Sequence, residues 1–342
     1  MRTIDIHHHI IPARLLDAAR ADRGPGGMRV IREAGDEWLV HPEGYRYPIT
    51  PDFHDPAARL ASMAGMGIDA AVVSVSPTIY GHSLPVDVAA GYAAEVNDAI
   101  ADHVAAAPDQ LIGLATLPMQ DPDAAALELE RAVGQLGLRG ASIAPVVGET
   151  PLDDPAMESV LATAEALDVP LLLHPFYVGL RPGLPDFYLT NLIGNPLETT
   201  IAVARLILSG TLDRHPRSRL VLVHGGGVVP YLVGRLDHGW EVRPESGGST
   251  ATPSSYLRRF VFDTVTHEPQ ALAYLIGLVG ADRVAYGTDL PFDMMDGSLD
   301  AQLGTTELTA EERRWIAGGT AEATFGPIER RSAVPTTAHA NG

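Results

Sequence analysis

Nearly the whole of this 342-residue chain alternates between short, almost entirely apolar segments and longer segments of helical periodicity. An apolar run without alternating polar residues is typical of a strand buried on both faces, as in a parallel sheet covered by helices. Helical spacing of apolar side chains is found between these runs, for example at 154–167, 199–212 and 269–279. The predicted strands are 3–7, 70–75, 111–117, 140–143, 169–174, 220–224, 260–263 and 283–289. Eight strands alternating with helices predict an α/β fold, a closed (β/α)8 TIM barrel.

Several of the predicted strands end in residues that can bind a metal ion or activate water. At the end of the first strand, His7 and His9 share one face because alternate side chains of a strand point the same way, whereas His8 points opposite. The other such residues are His174, His224 and Asp289, at the ends of the fifth, sixth and eighth strands. Active sites of (β/α)8 barrels are built at the carboxyl ends of the strands, so these side chains predict one shared site.

The composition limits the chemistry and the partners of the chain. Arginines number 24 against 43 acidic residues, giving a net charge of −19, which disfavours nucleic acids and anionic membranes as partners. Cysteine is absent, which excludes disulfides, thiolate metal ligands and thiol nucleophiles. Lysine is absent as well, which excludes a lysine Schiff base and a binuclear metal site bridged by a carboxylated lysine. One metal ion is therefore expected.

The chain is expected to form a single barrel domain over residues 1–330. Residues 15–55 are interpreted as a small β-rich insertion after the first strand, placed where it could cover the site. Residues 331–342 are small and polar and are expected to be disordered. No apolar stretch approaches the length needed to span a membrane, and no signal peptide precedes the first strand, so a cytoplasmic enzyme is expected.

Seven motifs in the sequence resemble those of a known family, and they extend in order over residues 1–326. They are Asp5-Ile-His-His-His-Ile-Ile-Pro12, His174-Pro175, Asn195-Pro-Leu-Glu-Thr-Thr200, Leu208-Ser-Gly-Thr-Leu212, His224-Gly-Gly-Gly227, Gly234-Arg-Leu-Asp-His-Gly239 and Gly287-Thr-Asp-Leu-Pro-Phe292. The family is the amidohydrolase-related family typified by 2-amino-3-carboxymuconate-6-semialdehyde decarboxylase. The resemblance implies a distorted barrel, one divalent metal ion, usually zinc, and non-oxidative decarboxylation without an organic cofactor.

The resemblance also assigns roles at the strand ends. It implies that His7, His9, His174 and Asp289 are metal ligands, and that His224 is an unligated histidine that hydrogen-bonds the metal-bound water. Three imidazoles and one carboxylate leave the ion with positive charge and an open position, which lowers the pKa of bound water toward about 7. Histidine-rich ligation favours zinc, and manganese is possible. His224 could act as base and then acid, and the final proton donor is either Asp289 or His224.

A homodimer is implied by Arg243, which matches a family arginine that reaches across a dimer interface to the substrate carboxylate of the partner. A second carboxylate-binding arginine of the family has no direct counterpart, since Ile49-Thr-Pro-Asp-Phe-His54 stands in its place and Arg46 is the nearest candidate. Asn191 occupies the position of a tryptophan in the pocket of the type enzyme. These differences favour a small aromatic or unsaturated carboxylic acid, similar to hydroxybenzoate or muconate, as the substrate.

Further residues are candidates for contact with that substrate. Phe176 and Phe292 are predicted to form apolar walls, and Arg181 is an alternative to Arg46 as the anchor of the carboxylate. His82, in the loop after the second strand, is a weaker candidate.

Two other functions use the same residues and remain alternatives at this point. A metal-bound hydroxide could hydrolyse a lactone or an amide, or could hydrate a conjugated enone. A barrel that only binds a ligand or retains the metal is the third hypothesis. The fold alone does not separate these functions.

Overall fold

Eight parallel strands close into a barrel in the computed structural model, which describes residues 2–42, 44, 46–176 and 183–328. In chain order the strands are β1 (Ile4–Ile10), β2 (Arg29–Glu33), β3 (Asp36–Val40), β4 (Arg46–Pro48), β5 (Ala70–Val75), β6 (Leu111–Gly113), β7 (Ala141–Ile143), β8 (Val146–Val147), β9 (Thr150–Pro151), β10 (Leu171–Leu173), β11 (Leu220–Leu222), β12 (Phe260–Asp263) and β13 (Val284–Ala285). The barrel consists of β1, β5, β6, β7, β10, β11, β12 and β13.

Regular pairing gives two arcs of the barrel, β1-β5-β6 and β7-β10-β11-β12-β13. Two isolated parallel bridges join the arcs, one between Ala115 and Ala141 and one between His8 and Leu290. At the second seam the backbone N–H of His9 donates to the carbonyl of Leu290 at 2.7 Å. The closed (β/α)8 barrel predicted from the sequence is therefore confirmed.

Several predicted strands differ in length from the regular ladder that the structure shows. The predictions 70–75 and 260–263 are confirmed without change. Strand β1 continues to Ile10, beyond the predicted end at His7, whereas β6, β10, β11 and β13 end earlier than predicted, at Gly113, Leu173, Leu222 and Ala285. His174, His224 and Asp289 therefore lie after the regular pairing of their strands.

Alternate residues of the barrel strands divide the core into two layers. One buried cluster contains Ile6, Val72, Leu172 and Val221, and the other contains their chain neighbours, such as Leu171 and Leu173, together with the apolar faces of the helices. Side chains of a strand alternate between its faces, so the first cluster fills the barrel and the second packs the helices onto it.

The α-helices cover the outside of the barrel and its ends. They are α1 (Ala13–Arg20), α2 (Pro56–Gly65), α3 (Val86–Ala105), α4 (Pro122–Leu136), α5 (Glu158–Leu167), α6 (Asn195–Leu208), α7 (Thr211–Arg214), α8 (Val229–Val242), α9 (Pro253–Tyr256), α10 (Pro269–Val279), α11 (Leu299–Leu303), α12 (Ala310–Arg314) and α13 (Thr320–Phe325). Across the described ranges, no helix is both long enough and apolar enough to span a membrane.

Helix α10 confirms the prediction for 269–279, but the prediction of one helix over 199–212 is wrong. Helix α6 starts earlier, at Asn195, and ends at Leu208, and α7 begins after Gly210. Gly210 has φ = 74°, a left-handed conformation that ends a right-handed helix and that glycine adopts at low cost. Over 154–167, a short 3-10 turn at Pro155–Met157 precedes α5.

A small antiparallel sheet, β2-β3-β4, follows α1 in the region interpreted as an insertion. The ring of Tyr47 in β4 lies 5.8 Å from that of Phe53 and 5.1 Å from that of Phe292. These contacts hold the sheet against the carboxyl ends of the barrel strands. The predicted disordered tail and the candidate Arg181 both lie outside the described residues.

Candidate metal and active site

Four side chains converge at one point, two from within β1 and one from the segment after each of β10 and β13. Their ligand atoms, from His7, His9, His174 and Asp289, all lie within 4.8 Å of one another, and all four residues are buried. Nε2 of His7 is 3.1 Å from Nε2 of His9. Oδ1 of Asp289 is 3.3 Å from Nε2 of His7 and 3.1 Å from Nε2 of His9. The structure brings together all four predicted metal ligands.

Each of the three imidazoles offers its Nε2 to this point because its Nδ1 is bound elsewhere. His7 donates from Nδ1 to Oδ2 of Asp263 at 2.6 Å, and His174 donates from Nδ1 to the carbonyl of Pro175 at 2.8 Å. Nδ1 of His9 is 3.4 Å from the carbonyl of Val75. Nε2 of His174 is buried and makes no hydrogen bond with any described residue. Three imidazole nitrogens and a carboxylate oxygen directed at one buried point can hold a divalent cation.

Burial and charge set the protonation of this cluster. Burial lowers the pKa of His9 to about 4 and holds that of His174 well below its usual range. Burial acts the same way on His7, but Asp289 and Asp263 outweigh it and raise the pKa of His7 to about 10. Burial alone would raise the pKa of Asp289, yet His7 and hydrogen bonds from nearby histidines keep it well below its usual range. Without an ion, the cluster therefore carries its proton on His7.

Binding of one divalent ion at about pH 8 is expected to release about one proton from His7, because an imidazole must be neutral to ligate a metal. A group with a pKa of about 10 is protonated at lower pH, so protons compete with the ion. Ion affinity should therefore fall by about tenfold for each unit by which the pH decreases below about 10. Calorimetric titration in two buffers of different ionisation enthalpy counts the protons released, and a count near zero would contradict the protonation described here.

Asp263 positions both the candidate metal ligand His7 and the loop that carries His224, and it was not identified from the sequence. Its Oδ2 accepts from His7 Nδ1 and from the backbone N–H of His224 at 3.0 Å, and its Oδ1 accepts from the N–H of Gly225 at 2.7 Å. A Cβ at Gly287 would lie 3.0 Å from the Cβ atoms of both Asp263 and His7, so glycine permits this close approach. The segment Phe260-Val-Phe-Asp263 has the same pattern as the other site strands, an apolar run that ends on a polar residue.

The substitution Asp263→Asn is expected to weaken binding of the divalent ion by about 10- to 100-fold, as is typical when the carboxylate behind a metal-bound histidine is lost. Both oxygens of Asp263 accept hydrogen bonds, so an amide nitrogen at either position would face a donor. Competition with a chelator measures the affinity. Asp300→Asn, which changes an exposed carboxylate outside the cavities, is the matched control, and an equal loss in both variants would contradict a specific role for Asp263.

His224 lies beside the cluster rather than within it. Its Nε2 is 3.9 Å from Oδ2 of Asp289, and its ring centroid is 5.2 Å from that of His174. Gly225, Gly226 and Gly227, which follow His224, form a tight turn in which all three have positive φ. His224 and Asp289 also have positive φ, 55° and 65°, a conformation that costs non-glycine residues free energy and that is concentrated at functional sites.

Two cavities meet at His224 and Asp289. The smaller, of about 350 Å³, extends under the β2-β3-β4 sheet, and the larger, of about 810 Å³, extends between α6, α8 and α10. Asn191 contributes to both, so it lies where predicted, beside the cluster. Both cavities are lined by more apolar than polar surface, which suits a hydrophobic small molecule with a few polar groups.

Three other candidate substrate residues line the smaller cavity. Phe292 packs edge-on against His9, with 5.3 Å between ring centroids, and Phe176 forms part of the same cavity. Arg46 reaches it as well, and its guanidinium is paired with Glu33 at 2.8 Å and stacked 4.9 Å from the Trp38 ring.

Two further candidates lie apart from the cavities. His82 is behind Phe176, with 5.4 Å between the ring centroids, and burial lowers its pKa to about 4. Arg243 is exposed at the end of α8 and is hydrogen-bonded to Glu245 within the same chain.

Residues that the sequence reasoning missed also line the smaller cavity. They are Tyr47, Thr78, Tyr188 and Asp293. The hydroxyl of Tyr47 hydrogen-bonds to that of Thr78 at 2.7 Å, and burial raises the pKa of Tyr47 to about 12, so that it stays protonated. These polar groups give the cavity hydrogen-bonding capacity beside its aromatic wall, since the ring of Tyr47 lies 5.1 Å from that of Phe292.

Comparisons with known proteins agree with this geometry. Residues 4–326 match the family described as amidohydrolase. The 2-amino-3-carboxymuconate-6-semialdehyde decarboxylase of Dictyostelium discoideum is 30% identical over 326 residues, which cover 93% of this chain and 90% of that relative.

Two solved structures show the same fold over nearly their whole length. The 5-carboxyvanillate decarboxylase of Sphingomonas paucimobilis has a TM-score of 0.80 at 27% identity and covers 95% of this chain and 98% of its own. A dihydroxybenzoic acid decarboxylase of Polaromonas sp. JS666 was solved with bound manganese and the inhibitor 2-nitroresorcinol. It has a TM-score of 0.75 at 25% identity, and the match covers 95% of this chain and 96% of that one. Since the family match extends across almost the entire barrel, this chain belongs to the amidohydrolase family.

Proposed function

We propose that this protein is a metal-dependent, non-oxidative decarboxylase of a small aromatic or unsaturated carboxylic acid. The observation that carries the proposal is the buried group of three histidines and one aspartate, with His224 beside it, at the junction of two largely apolar cavities. The decarboxylase activity of the related proteins supports it. The relatives give no comparable support to hydrolysis or hydration, so that alternative is not favoured.

We assign His7, His9, His174 and Asp289 as ligands of one divalent ion. When bound, such an ion supplies Lewis-acid stabilisation of the negative charge that develops as carbon dioxide departs. Zinc is proposed because three of the four donors are imidazoles. Manganese is the second candidate, in view of the manganese-bound relative.

The reaction breaks one carbon–carbon bond, leaves its electron pair on the substrate carbon and requires one proton at that carbon. His224 and Asp289 both face the two cavities, so either can exchange a proton with a substrate bound there. Nδ1 of His224 is buried and makes no hydrogen bond with a described residue, while Nε2 is directed toward Asp289. His224 is therefore proposed as the group that carries the proton to the substrate through Nε2.

The substrate class follows from the walls of the smaller cavity. Phe292 and Phe176 offer aromatic surface to a ring or a diene, and a volume of about 350 Å³ suits a molecule of that size. Arg46 is the candidate anchor for a substrate carboxylate or phenolate, provided that it exchanges its ion pair with Glu33. Hydroxybenzoates and muconates combine these features.

We further propose that the functional unit is a homodimer in which Arg243 reaches the site of the partner. Its exposed position, away from the cavities of its own chain, is compatible with that role. Light scattering of the purified protein determines the assembly, and a strictly monomeric active enzyme would contradict the proposal.

A substrate panel tests the proposed function. Protein loaded with zinc or manganese is incubated with hydroxybenzoic acids, muconic acids, aryl lactones and anilides. Detection by mass spectrometry separates products that have lost carbon dioxide from products that have gained water. Loss of carbon dioxide from at least one acid is expected. Products of water addition alone would indicate that the protein is a hydrolase or hydratase.

A further inference from the structure

A separate cavity of about 270 Å³ lies at the end of the barrel opposite to the histidine cluster, beside the amino ends of β11, β12 and β13. Five arginines and only one carboxylate, that of Asp282, are among the described residues that line it. The arginines are Arg217, Arg219, Arg258, Arg259 and Arg283. On a chain with a net charge of −19, this is a local excess of positive charge. Salt screens charges beyond about 8 Å, so the nearby guanidiniums determine the potential inside the cavity.

Backbone carbonyls hold three of these guanidiniums in place. Arg219 donates to the carbonyls of Asp168 at 3.0 Å and Ala323 at 2.7 Å. Arg259 donates to the carbonyls of Leu212 at 2.6 Å and His215 at 2.8 Å, and Arg258 donates to that of Val279. Carboxylates also contact two of the three, since Arg258 donates to both oxygens of Asp282, at 3.2 and 2.9 Å, and Arg219 lies 3.6 Å from Oδ1 of Asp168. Arg259 is oriented by carbonyls alone, which do not cancel its charge. Each guanidinium has five N–H donors, so donors remain available to a ligand.

Some donors at this cavity make no hydrogen bond with the described residues. They include Nε of Arg283 and Oγ of Ser218, which are buried, and Nε of Arg283 lies 3.7 Å from Oδ2 of Asp282 in an ion pair. The side chain of Arg217 is exposed and has no hydrogen bond or ion pair within the described ranges. Interaction with the carboxyl ends of helices explains arginines such as Arg219 and Arg258, but it does not explain these groups. A bound anion would accept hydrogen bonds from the buried donors and would meet the exposed guanidinium of Arg217.

We propose that this cavity binds a phosphate group. A phosphate carries up to two negative charges and several acceptor oxygens, which match clustered guanidiniums and a hydroxyl better than a single carboxylate does. The volume is slightly below the range of about 300–1,000 Å³ that is usual for ligand pockets, so phosphate itself or a small phosphate monoester fits. The site is distinct from the metal cluster and does not depend on the proposed decarboxylase activity.

The test is calorimetric titration of orthophosphate into the metal-loaded full chain at low ionic strength. The double variant Arg217→Gln/Arg283→Gln should weaken phosphate binding by at least about tenfold, because it removes two charge-assisted contacts. The matched control is Arg14→Gln/Arg29→Gln, which makes the same change in net charge at exposed residues outside this cavity. This control should change the affinity for phosphate by less than about twofold. Ser218→Ala removes one donor and no charge, and it replaces the double variant if that variant does not fold.

Parallel titrations with adenosine monophosphate and glycerol phosphate identify the source of the phosphate. Tighter binding of an ester would indicate a phosphorylated metabolite, and equal or tighter binding of orthophosphate would indicate the free ion. Three results would overturn the proposal. They are no saturable binding up to about 10 mM phosphate, equal weakening in the control pair, and binding that is lost in His7→Ala but kept in Arg217→Gln/Arg283→Gln.

Discussion

The variant His224→Ala is expected to retain about one divalent ion per chain and to lose turnover by about 10²- to 10⁴-fold, the usual contribution of a positioned acid–base group. His224 lies outside the group of four ligand atoms, so its loss leaves that group complete. It nevertheless lines both cavities and places Nε2 3.9 Å from Asp289, so its loss removes a proton carrier from the reacting end of the substrate. Elemental analysis and steady-state kinetics on the same preparation measure both effects.

His238→Ala is the matched control for this variant, because it removes a histidine of α8 that lines neither cavity. It should leave both ion content and turnover close to those of the unchanged protein. Loss of the ion in His224→Ala would show that His224 is a ligand. Full turnover in His224→Ala would show that Asp289 or solvent, and not His224, transfers the proton.

His7→Ala is expected to lose the ion and with it all metal-dependent turnover. If the roughly 10–16 kcal/mol of a four-ligand site is shared evenly, one ligand contributes about 2.5–4 kcal/mol, or roughly 10²- to 10³-fold in affinity. The variant also leaves the buried carboxylates of Asp263 and Asp289 without the imidazolium that lies between them in the ion-free protein. Unpaired buried carboxylates are costly, so the ion-free variant should also be less stable.

His8→Asn provides the control for His7→Ala at the adjacent position. His8 points away from the cluster and donates from Nδ1 to Oδ2 of Asp5 at 2.9 Å, and an asparagine amide can replace that donor. The ion affinity of His8→Asn should stay within about tenfold of the original. Loss of the ion in His8→Asn, together with retention of the ion in His7→Ala, would mean that His8 faces the cluster and His7 does not.

The convergence of the four candidate ligands could be predicted from the sequence because it depends on strand periodicity and strand order. Alternation along β1 places His7 and His9 on one face, and the barrel brings His174 and Asp289 to the same end. Asp263 follows the same rule and was missed because a carboxylate at a strand end has no distinguishing partner in the sequence. Its role becomes visible only in the closed barrel, where β13 alone separates β12 from β1 and Oδ2 of Asp263 is 2.6 Å from Nδ1 of His7.

The residues that line the smaller cavity were harder to predict because they lie outside the barrel strands. Tyr47, Tyr188 and Asp293 reach the smaller cavity from segments that are far apart in the chain, and no periodicity relates them. The helix break at Gly210 shows the same limit in the fold. A single glycine in a helical pattern is often tolerated, and only its conformation of φ = 74° determines that α6 ends there.

The ion held by this cluster is proposed to support loss of a carboxylate as carbon dioxide. A direct test uses the best acid of the substrate panel labelled with ¹³C in its carboxyl group, with protein carrying from none to about one equivalent of ion. We expect ¹³C-labelled carbon dioxide in equal amount with the decarboxylated product, at a rate that rises in proportion to bound ion. A label that stays in the organic product, or release that does not depend on the ion, would contradict the proposal.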